Sequence, residues 1–186
     1  MSPAALALGL VLSGLQLDVS FATGFGSRVS LGGVVQLTSS TPLWETPGAA
    51  GSLGLGVWAG YQLEPYAFSQ AYLPGTQLTG ATHRLEGLLL AGHDLQLFAS
   101  RRLLVGVHLF AGWMHVVLRG GLVHPSVGVS GTSEADAGAL TSGVVLRLGV
   151  RLTERVHLTA RGLVPFPYAT AVAPYVLLTL GVTVAL

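Results

Sequence analysis

Leu140-Thr-Ser-Gly-Val-Val-Leu-Arg-Leu-Gly-Val-Arg-Leu152 alternates along its whole length. Leu140, Ser142, Val144, Leu146, Leu148, Val150 and Leu152 share one phase; Thr141, Gly143, Val145, Arg147, Gly149 and Arg151 share the other. Period two marks a β-strand, because successive side chains leave on opposite faces. Thr153-Glu154-Arg155 turns the chain, and Val156, Leu158, Ala160, Gly162 and Val164 return opposite His157, Thr159, Arg161 and Leu163. Leu152 and Val156 flank the turn on one face, which sets an antiparallel hairpin register.

Composition decides what surrounds such a hairpin. Hydrophobic residues make up 51% of the 186, charged residues 9%, and mean hydropathy is +0.65. Soluble domains carry about 25% charged residues, so this chain lacks the charge to coat a water-facing surface. No run reaches the ~18 to 20 apolar residues of a spanning helix; Leu103 to Leu118 and Ala171 to Leu186 are shorter and interrupted. Apolar character broken into short alternating segments with 26 Gly predicts an all-β, closed antiparallel transmembrane barrel as one domain over residues 1–186. A net charge of +1 argues against nucleic acid as a partner. With 0 Cys, disulfide and thiolate-metal chemistry are excluded, and the six His have no metal-ligand spacing, so no metal or cofactor is expected.

Alternation recurs at 15–22, 29–37, 53–63, 83–97, 105–114 and 175–186. Residues 4–12 read as a further strand, which places any export signal outside this sequence, and 66–73 as a short one. That gives ten strands, with eight as the alternative. Short turns near 25, 64, 100 and 153 are expected on one side, and loops at 39–51, 74–81, 119–137 and 165–173 on the other. Aromatics near strand ends read as two interfacial girdles.

The in-strand charges Asp18, Arg84, Glu86, Asp94, Arg147, Arg151 and Arg161 all avoid the leucine phase. A charge facing lipid near the midplane costs ~2 to 4 kcal/mol, so these residues are expected to line the lumen. In a barrel of about eight strands the lumen is narrow enough for side chains to fill, and the expectation is a charge network that plugs it. An Arg-lined passage for small anions is the second reading.

Thr179-Leu-Gly181-Val-Thr-Val184-Ala-Leu186 resembles the C-terminal assembly signal of bacterial outer-membrane barrels, with Leu186 where an aromatic usually stands. As architecture the whole chain is similar to small barrels of the OmpA, OmpX or OmpW kind. That resemblance implies a monomer in the bacterial outer membrane, contact with outer-membrane lipid and lipopolysaccharide, and the barrel-assembly machinery as the reader of Thr179, Gly181, Val184 and Leu186. It also implies a structural or surface-interaction role without catalysis. A third reading takes His124 and Ser126, with Glu134 and Asp136 downstream, as a hydrolase site similar to that of lipid A deacylases. The Gly/Ser/Pro-rich setting favours a solvated loop instead. His93-Asp94 is a poor protease site, since adjacent residues leave on opposite faces.

Overall fold

The computed structural model describes residues 14–26, 29–69, 77–98, 100–124, 129–166 and 175–186. Eight strands follow in order: β1 (Leu15–Phe25), β2 (Val29–Glu45), β3 (Ala49–Ser69), β4 (Gln77–Leu97), β5 (Leu103–His124), β6 (Val129–Arg151), β7 (Val156–Pro165) and β8 (Val176–Ala185). Each pairs antiparallel with its sequence neighbour, and β1 pairs with β8 to close the ring. Closure satisfies every strand edge that lipid would otherwise meet.

The alternation is inside out relative to a soluble protein. Leu89, Leu109, Leu140, Leu146 and Leu180 are more than half exposed on the outer wall, while Asp18, Asp94, Arg147 and Arg161 are buried in the lumen. Water would not tolerate that outer wall; acyl chains favour it. The β6–β7 register follows the sequence reading, with Arg147 opposite Arg161 and Arg151 opposite His157. Leu152 N–H donates to Val156 O at 2.9 Å to close the turn.

The count of ten is corrected to eight among the described residues. Glu64-Pro65 is no turn: β3 runs through it to Ser69, so Tyr66 continues that strand. The β2–β3 ladder stops at Leu31↔Leu63, so Pro65 lies past it, with Ala81 of β4 as its partner, a place where a strand tolerates proline. The proposed strand at 4–12 lies outside the described residues, and the ring closes without it.

The predicted loops also shrink. β2 continues through a register shift between Pro42 and Trp44, and only Thr46 to Gly48 turn. Residues 119–137 mostly extend β5 and β6, and Gln77 already belongs to β4. Both predicted sides change as a result. The turns at 46–48, 98–102 and 152–155 share one rim with Leu15 and Leu186. The connections at 26–28, 70–76, 125–128 and 167–174 share the other. Trp44 and Phe98 therefore stand at the short-turn rim, while Phe25 stands at the opposite one. Tyr66, also near a predicted turn, joins neither girdle: it is buried, with its hydroxyl donating to Arg119 O at 3.2 Å.

Strand lengths are unequal. β1, β7 and β8 have 11, 10 and 10 residues, close to the ~9 to 11 that cross a bilayer at a tilt. β3, β4, β5 and β6 have 21, 21, 22 and 23. The surplus of roughly ten residues per strand projects at the rim opposite the short turns. In outer-membrane barrels the short turns face the periplasm, which puts the projecting sheet outside.

Placing a charge on the outer wall tests the inversion. Leu146→Arg, midway along the stretch of β6 that β7 covers, is expected to lower stability in lipid vesicles by ~2 to 4 kcal/mol, read by urea unfolding. The folded wild-type chain is expected to migrate faster on detergent gels unheated than boiled.

Candidate functional site

The lumen is layered. Nearest the short turns lies an ionic layer built on Asp18 of β1 and Arg161 of β7. Arg161 donates Nη1 to Asp18 Oδ1 at 2.7 Å and Nη2 to Oδ2 at 2.8 Å, a two-pronged geometry that suits a planar guanidinium and a carboxylate. Thr159 and Thr183 hydroxyls also donate to Asp18 Oδ2, at 2.8 and 2.6 Å, and Ser20 donates to Oδ1. Asp18 thus accepts five hydrogen bonds, enough to replace the water it lost.

A second pair abuts the first. Arg147 Nη1 donates to Asp94 Oδ2 at 3.2 Å, and Arg147 Nη2 reaches Gln16 Oε1 at 3.2 Å and Thr183 Oγ1 at 3.4 Å. His108 Nε2 lies 3.0 Å from Asp94 Oδ1. Asp94, Gly106 and Arg147 are consecutive partners across β4, β5 and β6. A Cβ on Gly106 would stand 2.0 Å from Asp94 Oδ1, so the bare backbone lets the carboxylate reach its arginine past the strand between them.

Above this layer apolar side chains dominate the lumen, with Gln36 opposite Trp58 and donating to Thr38. Trp58, Leu88, Leu90, Phe110, Met114, Val145 and Leu163 pack together, each no more than 3% exposed. The apparent untidiness of β4 in sequence comes from here. Leu88 and Leu90 share the phase of Glu86 and Asp94 because they fill the barrel.

A second polar layer faces the projecting sheet. Glu86 Oε1 accepts from Tyr175 Oη at 2.5 Å and from Gln62 Nε2 at 3.1 Å, and Ser30 Oγ donates to Gln62 Oε1 at 2.7 Å. The Arg84 guanidinium carbon sits 4.2 Å over the Tyr175 ring, a cation–π contact. Glu86 and Arg84 are both buried.

The seven charges read from sequence therefore divide rather than form one web. Asp18, Arg161, Arg147 and Asp94 meet in one layer; Arg84 and Glu86 stand in another. Arg151 belongs to neither: it is half-buried at the rim, with its Nε donating to Thr153 O at 3.1 Å. Sequence reasoning missed the pairing of His108 with Asp94. The available signal was its phase, shared with Gly106 and two residues from the Asp94 row.

On β8, Thr179 is buried and Gly181 half-buried on the luminal side, while Val184 and Leu186 are exposed on the outer wall. His124 ends β5, and Ser126 lies outside the described residues. The acids that would complete a hydrolase are engaged elsewhere: Glu134 with Arg119 at 3.2 Å, and Asp136 with His115 at 3.9 Å. Among the described residues, no group of three metal-ligating side chains converges.

No family model matches the chain, and no curated protein matches it in sequence. Among solved structures it is similar to Ail, the attachment invasion locus protein of Yersinia pestis. Identity is 10% and the TM-score 0.50, over 94% of this chain and 99% of that one. It is also similar to Neisserial surface protein A, at 14% identity and a TM-score of 0.43, over 92% of this chain and 96% of that one. The N-terminal β-barrel domain of Pseudomonas aeruginosa OprF gives 10% identity and a TM-score of 0.41, over 92% and 97%. The likeness to Ail shows the fold, which with the apolar outer wall is that of a small bacterial outer-membrane barrel.

Breaking the buried pair is expected to cost far more than replacing it. Arg161→Met leaves Asp18 uncompensated, at ~3 to 5 kcal/mol; Asp18→Leu with Arg161→Met should recover most of that loss. Urea unfolding in lipid vesicles measures both, and additive losses would contradict the pairing.

Proposed function

We propose that the chain is a non-enzymatic outer-membrane protein whose closed, side-chain-filled barrel holds a β-sheet outside the cell for contact with surface partners. One observation carries this reading. β3 to β6 run about twice the length of β1, β7 and β8, and the surplus stands in water. From Gly131 to Thr141, β6 pairs with β5 and with no other strand among the described residues, while Ser142 O accepts from Phe166 N–H at 2.8 Å. Backbone donors and acceptors without a strand partner among the described residues suit an incoming extended peptide. Glu134, Ala135, Asp136 and Ala137 are exposed although they leave on both faces, so this stretch of β6 packs against no core.

A closed lumen is favoured over an anion passage by burial. Arg147 and Arg161 are 4% and 3% exposed, and Trp58, Phe110 and Met114 stack above them. Arginines lining a water path would be wet. The same layers suit a barrel that serves as a rigid mount and transports nothing. Thr179, Gly181, Val184 and Leu186 remain our candidates for the segment read by the assembly machinery. Their luminal-and-outer alternation on the closing strand supports that role, and lipopolysaccharide is the lipid the projecting rim would meet.

In planar bilayers the refolded protein is expected to give no steady current. An anion-selective conductance lost on Arg147→Ala and Arg161→Ala would replace the plug with a pore. Lipid A mass spectra should be the same with and without expression of the chain; a new deacylated species abolished by Ser126→Ala would make it a hydrolase.

A further inference from the structure

We propose that the short-turn rim binds the phosphate headgroups of anionic phospholipids through Arg101, Arg102, Arg151 and Arg155. The inference rests on the membrane orientation adopted above. Two turns form the patch. Arg151 N–H donates to Arg102 O at 2.8 Å, which fastens the 98–102 turn to the end of β6. Arg155 lies in the next turn, and its carbonyl accepts from Ala185 N at 2.8 Å. The four arginines are thus held on neighbouring, backbone-tied segments and not on separate loops.

Their charge is only partly answered. Glu45 is taken by Arg101, and Glu154 is the other acid in these turns, so four positive charges face two negative ones. Arg102 and Arg155 are exposed and enter no ion pair among the described residues. The opposite rim has the reverse balance. There Arg119 is matched by Glu134, Asp136 lies 3.9 Å from His115, and Glu64 adds a further acid among the described residues.

Position identifies the occupant. Leu152, in the same turn as Arg155, is 61% exposed, and Phe98, beside Arg101, is 62% exposed. Trp44 next to Glu45 is 43% exposed. Apolar and aromatic side chains of this kind sit where acyl chains meet headgroups. Guanidinium groups one to four residues away in the same turns are then level with lipid phosphates, which they bind in two-pronged fashion. Phe98 and Arg101 both adopt positive φ, 69° and 49°. Non-glycine residues rarely keep that conformation, and here it aims the aromatic and the first arginine from one tight turn.

The test uses the isotope-labelled full chain, refolded in zwitterionic micelles and titrated with phosphatidylglycerol, phosphatidylcholine or inorganic phosphate. Amide resonances of Arg101, Arg102 and Arg151 to Arg155 are expected to shift with phosphatidylglycerol and stay still with the other two. Each arginine near an anionic surface contributes about fivefold in affinity. Arg102→Gln with Arg155→Gln should weaken the response about twenty-five-fold, whereas Arg119→Gln leaves it unchanged. An equal response to phosphatidylcholine, a response centred on Arg119, or full reproduction by inorganic phosphate would each overturn the assignment. Failure of the barrel reading would show before any titration, as a chain that is soluble without detergent and migrates the same boiled or unboiled.

Discussion

Arg147 and Arg161 stand directly opposite one another on adjacent strands, inside a barrel, with almost no access to water. Two like charges in that position repel, and neither has solvent to screen it. The arrangement holds because Asp18 and Asp94 come in from β1 and β4, one from each side. Each carboxylate reaches past a single intervening strand. Gly106 clears the way on β5, and β8 offers Thr183 and Gly181 in place of bulky side chains. A wider ring would hold the carboxylates farther off and leave the arginines bare. Narrow closure and charge pairing are in this sense one constraint, and eight strands meet it.

How much of this could be read beforehand depends on where each strand runs. The β6–β7 hairpin was legible to the residue, because one face meets lipid and the other a polar lumen, so composition alternates cleanly. The projecting stretches were not. At 131–138 both faces meet water, the sequence shows no period, and Gly, Ser and Thr there read as loop. Pro42 and Pro65 deepened the error. Pro42 stands at the β2–β3 register shift and Pro65 just past the last β2–β3 pair, irregular places where a strand tolerates a missing N–H and otherwise continues. Phase put six of the seven charges at buried positions and Arg151 at the rim, yet it carries no information on height. The division into two polar layers about an apolar one, and the pairing of His108 with Asp94, followed only from register.

The layers assign different duties to different heights. The ionic layer and the Trp58, Phe110 and Met114 stack fill the part of the barrel that lipid surrounds, where rigidity follows from dense packing. Among the described residues the projecting parts of β5 and β6 are joined by backbone pairing, by the Tyr66 hydroxyl on Arg119 O, and by exposed ion pairs such as Arg119–Glu134, which contribute little each. Local opening is favoured where buried apolar contacts are few. Among the described residues the projecting stretch of β6 has a strand partner on one side only, which fits the proposed role of accepting another strand while the mount beneath stays closed. Fold alone does not name a function; the contrast between the two halves is what narrows it.

Buried charge is an expensive way to fill a cavity, and similarly shaped apolar side chains often give equal or better stability. Its use here answers a different problem. A β-strand that slips by one residue exchanges its two faces. In a barrel lined only with leucine and valine, a slipped β1 or β7 would offer lipid much the same surface as before. With Asp18 and Arg161 in place, the slip carries ionised groups into the acyl layer at ~2 to 4 kcal/mol each near the midplane, and it leaves their partners bare inside. The ionic layer therefore acts against wrong registers more strongly than it favours the right one. That accounts for its position at the β8–β1 seam, where the first and last strands must find each other across the full length of the chain.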